Sequence, residues 1–243
     1  MARIAYDDRD AAAFTASRHL PGEALTGWRE AIQRHLQPRP GMRILDLGAG
    51  TGLWTQLFTA WFDDVDMIAV EPSAAMRARS VVPGALAGDA GDIPQTDDSM
   101  DGAWLSTVVH HIPDLSAAAR ELRRVLRPGA PVLIRSAFAG RPERILLFRY
   151  FPEAIRVLDT FPSVATVQEV FASAGFTPIA LEPIPQTTSP SLRELLSNFR
   201  REAHTPLQLI TDAEYQAGLA RMRTAAKTDT GPVVDALDLL VMR

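Results

Sequence analysis

The first residues that could do chemistry stand in a glycine-rich segment that follows a short apolar run. Residues 43–47 contain Asp46 between leucines, and Gly48, Gly50 and Gly52 come directly after them. Glycine lets a backbone turn tightly and approach a ligand where any Cβ would clash. Open α/β sheets bind ligands at the carboxyl ends of their strands. The segment therefore predicts a strand-to-helix turn that a ligand can approach.

Two further carboxylates follow the next predicted strands. Glu71 comes after residues 67–70, where its side chain could accept hydrogen bonds from both hydroxyls of a ribose. Asp89 comes after the weak strand 84–88, where it could accept from an adenine amino group, with Ile93 against the ring. A simpler interpretation is a solvated carboxylate at the first position and an Asx turn at the second. The three strand tips together favour an adenosine-type ligand.

A pair of histidines follows the strand predicted for residues 100–106. His110 and His111 could each take up a proton near neutral pH, which makes them candidates for a general base. The alternative is a structural imidazole in the loop that leads to the helix capped by Asp114. His204 is either a solvated histidine or a second group that reaches the site. We predict no metal site, because the adjacent histidines alone do not form one and the chain has no cysteine.

The pattern of the sequence predicts a sheet that would bring these residues together. Strand-like and helix-like segments alternate, and the helix after Asp114 has a one-sided apolar stripe of period 3.6. This alternation is typical of a parallel sheet with helices on both faces. The predicted strands are residues 43–47, 67–70, 84–88, 100–106, 131–136, 177–181 and 236–242.

The length of 243 residues suits a single domain with appended segments. We predict a helical N-terminal cap at residues 1–40, a ligand-binding core at 41–139 and a closing strand at 231–243. The strand rhythm is interrupted at residues 140–163 and 187–230, which we interpret as helical insertions at one end of the sheet.

Composition excludes several classes of partner. The net charge is −4, whereas proteins that bind nucleic acid are usually basic, so we expect no nucleic acid partner. No run approaches the roughly 18 apolar residues of a membrane span, and the first residues lack a signal-peptide pattern. We expect a soluble cytoplasmic protein with a small-molecule partner. The sequence does not predict an oligomeric state.

Six motifs occur in order along the chain, and they are Leu45 to Gly52, Val70 to Ser73, Gly88 to Ala90, Asp98 to Asp101, His110 to Asp114 and Leu126 to Gly129. Together they resemble the class I S-adenosylmethionine-dependent methyltransferases, in particular the type 11-like branch that acts on small molecules. The resemblance covers roughly residues 40–137. It implies a Rossmann-like, doubly wound α/β fold with a seven-stranded, mostly parallel sheet whose last strand is antiparallel, plus helical lid insertions.

The resemblance also implies a cofactor, S-adenosylmethionine, and residues that contact it. Asp46 and Gly48 would lie beside the methionine moiety, Glu71 would bind the ribose, and Met76 would pack near the nucleoside. Asp89 and Ala90 would bind the adenine, and Ser106 and Thr107 would lie near the sulfonium. The remaining predicted contacts are Ala49, Gly50 and Pro72, with Tyr6 and Arg18 from an N-terminal segment that either folds over the cofactor or forms a surface helix around Phe14.

The expected reaction is in-line methyl transfer to an O, N or C atom of a partly apolar or aromatic metabolite, in which aligning the nucleophile supplies much of the acceleration. The expected acceptor-binding residues are Phe148, Tyr150, Phe151 and His204. One alternative is a protein that binds the cofactor as a regulator or for another reaction. Another alternative is an NAD(P)-dependent oxidoreductase. The sequence argues against it, because Leu53 stands where the dinucleotide fingerprint has its third glycine.

Overall fold

The computed structural model describes residues 22–243, so the predictions for Tyr6, Phe14 and Arg18 lie outside the described residues. Six strands form one sheet in the order β2-β1-β3-β4-β6-β5. Strands β1 to β4 are mutually parallel, and β6 runs antiparallel to both of its neighbours. The strands are β1 (Arg43–Leu47), β2 (Asp66–Val70), β3 (Gly102–Ser106), β4 (Val132–Ser136), β5 (Pro178–Ser189) and β6 (Val233–Met242).

The prediction of an antiparallel last strand is confirmed, but the prediction of seven strands is wrong for the described residues. The weak strand expected at residues 84–88 is reduced to a single parallel bridge between Val70 and Leu86. Gly84 has a left-handed backbone and follows a proline. Glycine and proline are poor strand formers, so this segment does not continue the ladder beyond one bridge.

The helices alternate with the strands, and the helix after the histidine pair begins at Asp114 as predicted. The side chains of Ser73, Asp114 and Ser163 each accept a backbone N–H of the first turn that follows. The helices are α1 (Thr26–Leu36), α2 (Leu53–Trp61), α3 (Ala74–Ala78), α4 (Leu115–Val125), α5 (Leu146–Tyr150), α6 (Ile155–Leu158), α7 (Val164–Ser173), α8 (Leu192–Asn198), α9 (Thr205–Gln208) and α10 (Asp212–Ala225). None of the described helices is long and apolar enough to cross a membrane.

Each face of the sheet carries its own apolar layer, because neighbouring residues of a strand point to opposite faces. Leu45 packs with α4 and α7, whereas Ile44 packs with α1 and α2. The second layer contains Trp28, Trp54 and Trp104, whose rings pack edge-on or tilted at 4.7 to 6.1 Å between centroids. The prediction of a doubly wound α/β fold is therefore confirmed.

A third apolar cluster lies mainly in the two interruptions of the strand rhythm and reaches the sheet at Val233 of β6. Strand β5 continues to Ser189, so the second interruption begins at residue 190 and not at 187 as predicted. We refer to residues 140–163 and 190–230 as the lid. The lid cluster includes Phe148, Phe151, Leu207 and Met222.

Candidate active site

The loop after β1 has the conformation that its glycines predict. Gly48, Gly50 and Gly52 have φ angles of 73°, 59° and 82°, the left-handed region that side chains rarely adopt. A Cβ at Gly48 would lie 2.4 Å from a methyl group of Val108. The backbone N–H groups of Gly48 and Ala49 both donate to the Val70 carbonyl, at 2.8 and 3.1 Å. The loop is therefore tied to the end of β2.

Asp46 holds the same loop from inside the protein. Its side chain is 1% exposed, and its Oδ2 accepts a hydrogen bond of 2.7 Å from the Thr55 hydroxyl on α2. Burial raises the pKa of Asp46 to about 7, since desolvation outweighs the hydrogen bonds from Thr55. Asp46 thus joins β1 to α2 directly beneath the glycine loop.

Glu71 joins the glycine loop to the start of α3. One carboxylate oxygen accepts from the Gly50 N–H at 2.9 Å and the other from the Ser73 N–H at 2.8 Å. Burial raises the pKa of Glu71, and these two hydrogen bonds offset the shift only in part. An ionised carboxylate has about four acceptor positions, so both oxygens can still accept from a ribose hydroxyl. Pro72 follows Glu71 in the chain, and Met76 of α3 is buried close by.

Asp89 is exposed and takes part in the turn that the simpler interpretation predicted. Its Oδ1 accepts from the Gly91 N–H at 2.7 Å, whereas its Oδ2 has no hydrogen bond to any described residue. Ala90 and Ile93 beside it are buried. An Asx turn and a free carboxylate oxygen next to an apolar surface are compatible, and this combination suits an adenine ring.

The end of β3 positions the histidine pair. Thr107 has a left-handed backbone, with φ of 54°, and is followed by one 3₁₀ turn, Val109–His111. The His110 ring stacks on Phe161 at 4.1 Å with an interplanar angle of 7°, and the His111 ring centroid lies 4.1 Å from that of His110. His110 is 8% exposed, while His111 is less deeply buried. The other predicted residue at this end, Ser106, accepts from Arg135.

A cavity of about 610 Å³ opens beside the loop and the histidines, within the size range of small-molecule sites. Leu53 and Thr107 border it on the side of the glycine loop, and much of the opposite wall belongs to the lid. Among the predicted site residues, those that line it are Thr107, His110, His111, Phe148, Tyr150 and His204.

Phe151, which we expected in the acceptor pocket, does not line this cavity. Its ring is completely buried and stacks on Phe199 and Tyr215 of the lid, with centroids 5.7 and 5.8 Å away. The lid helices need an apolar centre of their own, and Phe151 supplies it. The expectation for Phe151 is therefore corrected.

The sequence interpretation missed a polar wall of the cavity made by Arg135, Gln186 and Asp235. The Gln186 Oε1 accepts from Arg135 Nη2 and from the Trp28 indole, both at 2.9 Å. The Arg135 guanidinium lies 4.9 Å from the Trp28 ring centroid. An arginine within the apolar strand Val132–Ser136 was the one local signal, because an isolated charge in a buried strand needs a special environment.

The residues at the strand ends fit an S-adenosyl group. Glu71 and Asp89 retain carboxylate acceptor positions for ribose hydroxyls and an adenine amino group, and buried Met76, Ala90 and Ile93 provide the apolar contacts of a ring. Among the described residues, no group of histidines and carboxylates could hold a metal ion.

Comparison with known proteins agrees with this site. Residues 18–181 match the family model described as a methyltransferase domain. A demethylmenaquinone methyltransferase from Mycobacterium bovis is 33% identical over 144 residues, which cover 56% of this chain and 60% of that protein. The match thus spans less than two thirds of the curated relative's length.

Solved structures share the fold at lower identity. A protein described as a methyltransferase of an antibiotic biosynthesis pathway in Anabaena variabilis is 20% identical, with a TM-score of 0.72 over 89% of this chain and 96% of that chain. The [4+2]-cyclase SpnF is 18% identical, with a TM-score of 0.61 over 93% of this chain and 84% of that chain. By its family match and the ordered motifs of its sheet, the chain belongs to the class I S-adenosylmethionine-dependent methyltransferases.

Proposed function

We propose that the protein transfers a methyl group from S-adenosylmethionine to an O, N or C atom of a small, partly apolar or aromatic acceptor bound in the cavity. The observation that carries this proposal is the cavity itself, which borders the cofactor loop at Leu53 and contains the histidine pair. The curated relative acts, by its name, on a small molecule, demethylmenaquinone. The apolar part of the cavity, which includes Leu146, Phe148 and Phe161, supports an acceptor with an apolar portion.

The residues at the strand ends have the cofactor-binding roles in this proposal. Asp46, Gly48, Ala49 and Gly50 form the methionine side of the site, and Ser106 and Thr107 lie toward the sulfonium. The ribose and adenine contacts are Glu71, Pro72, Met76, Asp89 and Ala90.

When bound, S-adenosylmethionine supplies an electrophilic methyl group on a sulfonium, so a correctly aligned nucleophile needs little further activation. A hydroxyl or ammonium acceptor also loses a proton in the reaction. We assign the uptake of this proton to His111 before His110, because Phe161 covers one face of the His110 ring and His111, which also lines the cavity, is less deeply buried.

The test is a methyl-transfer screen across phenols, amines, sugars and indoles with methyl-labelled cofactor. We expect a labelled product with at least one class, and a His111→Asn variant that loses about 100-fold or more in kcat with that acceptor. Calorimetry with S-adenosylhomocysteine should give the variant an affinity within about threefold of wild type. His35→Asn is the matched control, since His35 of α1 pairs with Glu182 of β5 and does not line the cavity.

The same screen tests the alternative of a reaction without methyl transfer, because the fold is shared with a cyclase. An acceptor that is converted without formation of S-adenosylhomocysteine would favour this alternative. Loss of kcat in His35→Asn equal to that in His111→Asn would contradict the role given to His111.

A further inference from the structure

The polar wall of the cavity is built by the strands at one edge of the sheet. Arg135 is next to last in β4, and Asp235 and Gln186 are paired residues of the antiparallel strands β6 and β5. Because β6 is antiparallel to β4, the first residues of β6 lie at the same end of the sheet as the last residues of β4. Three strands thus bring a cation, an amide and a carboxylate to one side of the acceptor cavity.

The cation of this wall is already engaged by the protein. Arg135 is 4% exposed and donates to the Ser106 hydroxyl at 3.3 Å and to Gln186 at 2.9 Å. Its guanidinium also lies over the rings of Trp28 and Trp54, at 4.9 and 5.3 Å from their centroids. These contacts hold Arg135 as a fixed positive charge in the wall.

The carboxylate of Asp235 is engaged on one side only. Its Oδ1 accepts the Leu146 N–H at 2.6 Å, and its Oδ2 has no hydrogen bond to any described residue. The side chain is partly accessible and lines the cavity. Burial raises the pKa of Asp235, and the hydrogen bond from the Leu146 N–H and the charge of Arg135 partly oppose that shift. A carboxylate oxygen in a partly desolvated wall that has no hydrogen bond to a described residue gains one when a ligand supplies the donor.

We propose that Asp235 is a specificity-determining residue that binds an O–H or N–H donor of the acceptor through its Oδ2 and excludes acceptors with an anionic group at that position. The inference rests on the proposed function for the identity of the cavity as the acceptor site, and it adds the class of acceptor. A carboxylate or phosphate placed against Asp235 would meet a like charge. A hydroxyl or ammonium group would complete its hydrogen bonding.

A purely structural role for Asp235 is the competing explanation, because its Oδ1 caps the first N–H of α5. Asp235→Asn separates the two roles. The asparagine keeps an oxygen for the Leu146 N–H and replaces the second oxygen with a donor. The fold is therefore maintained while the recognition of a donor is lost.

Binding of matched naphthalene probes to the intact protein tests the inference. Naphthol and aminomethylnaphthalene offer a donor, methoxynaphthalene does not, and naphthoate is anionic. Calorimetry would be done in the presence of saturating S-adenosylhomocysteine. We expect at least one donor-bearing probe to bind the wild type about tenfold or more tightly than methoxynaphthalene and naphthoate. The comparison of naphthol with the amine shows whether the donor is neutral or cationic.

The variants determine whether Asp235 causes that preference. Asp235→Asn should reduce it to less than about threefold, with affinity for S-adenosylhomocysteine unchanged within about twofold. Among the described residues, Glu194 is the other carboxylate that lines the cavity, and it is exposed. Glu194→Gln should therefore keep the wild-type preference. An unchanged preference in Asp235→Asn, tighter binding of naphthoate by the wild type, or no binding of either donor probe at millimolar concentration would overturn the inference.

This assay measures binding and not turnover. A protein that prefers the donor probes and methylates no acceptor would refute the proposed function and leave the role of Asp235 intact. A protein that methylates an acceptor but shows no donor preference would do the reverse.

Discussion

At the scale of single residues, two buried carboxylates, Asp46 and Glu71, lie beside the cofactor loop. Their burial makes negative charge at this position unfavourable for folding. Asp46 is 1% exposed and Glu71 is 7% exposed, and burial raises the pKa of both carboxyl groups. The charge of Glu71 raises the pKa of Asp46 further. A ligand that carries a sulfonium and an ammonium offsets this unfavourable charge when it binds. We therefore expect stability and cofactor affinity to oppose each other at Asp46.

Asp46→Asn should make the cofactor-free protein more stable at pH 8. The folded-state pKa of about 7 lies above the ordinary value of 3.8, so the folded form keeps a proton that the unfolded form has lost. The contribution of Asp46 to wild-type stability is therefore greatest below pH 4 and is lost as the pH rises from 4 through 7. We expect the variant to exceed wild type by about 2–4 kcal/mol at pH 8 and by much less at pH 4.5, measured by urea unfolding.

Asp63→Asn is the control for this experiment, because Asp63 is an exposed carboxylate in the loop after α2. Its unfolding free energy should follow the wild type at each pH. A gain in Asp46→Asn that is constant from pH 4.5 to pH 8 would show that the carboxyl of Asp46 does not titrate in this range.

At the scale of elements, local signals predicted the cofactor half of the molecule and failed for the acceptor half. Strand β1 has the predicted bounds because five residues lie between a turn and a glycine loop. Strand β5 extends eight residues beyond the predicted end, Leu181 to Ser189, through Pro183 and Pro185. Proline argues against a central strand, but β5 is the edge of the sheet, where a missing N–H is tolerated.

The same limit explains which site residues the sequence could not reveal. Glu71 and Asp89 follow their strands directly, so their chemistry is visible in the local pattern. Arg135, Gln186 and Asp235 come together only through the order β4-β6-β5, in which residues far apart in the chain become neighbours. No local pattern contains that pairing.

A substitution at Gly218 of helix α10 tests how closely the lid is packed. A Cβ at Gly218 would lie 2.0 Å from the Phe151 ring, which is too close for any real contact. Replacing glycine by alanine inside a helix is normally stabilising by about 1 kcal/mol. We expect Gly218→Ala to be destabilising by about 1–2 kcal/mol instead, because overpacking outweighs helix propensity. Urea unfolding measures the difference.

A double-mutant cycle with Phe151→Leu is the control for Gly218. The smaller leucine relieves the overlap, so the two substitutions should cost less together than the sum of their separate costs. Simple additivity, or a stabilised Gly218→Ala variant, would show that α10 does not rest on Phe151.

At the scale of the whole molecule, the described residues form a two-sided sheet with a lid that has a separate apolar cluster. Strands β3 and β4 are buried along their full length, and α7 packs with the sheet through Val167 and Phe171. The lid consists largely of helices of four to seven residues together with α10. Helices this short are stable only through tertiary packing, so the lid depends on its own cluster.

We predict that the lid opens locally while the sheet stays folded, which would give an acceptor access to the cavity. In native-state hydrogen exchange read by mass spectrometry, amides of α8 to α10 should exchange at least about tenfold faster than those of β3, β4 and α7. The comparison of α10 with α7 is the most informative, since both helices are of ordinary length but pack in different clusters. Equal protection of α7 and α10 would mean that lid and sheet open as one unit, and the acceptor would then have to enter through the existing mouth of the cavity.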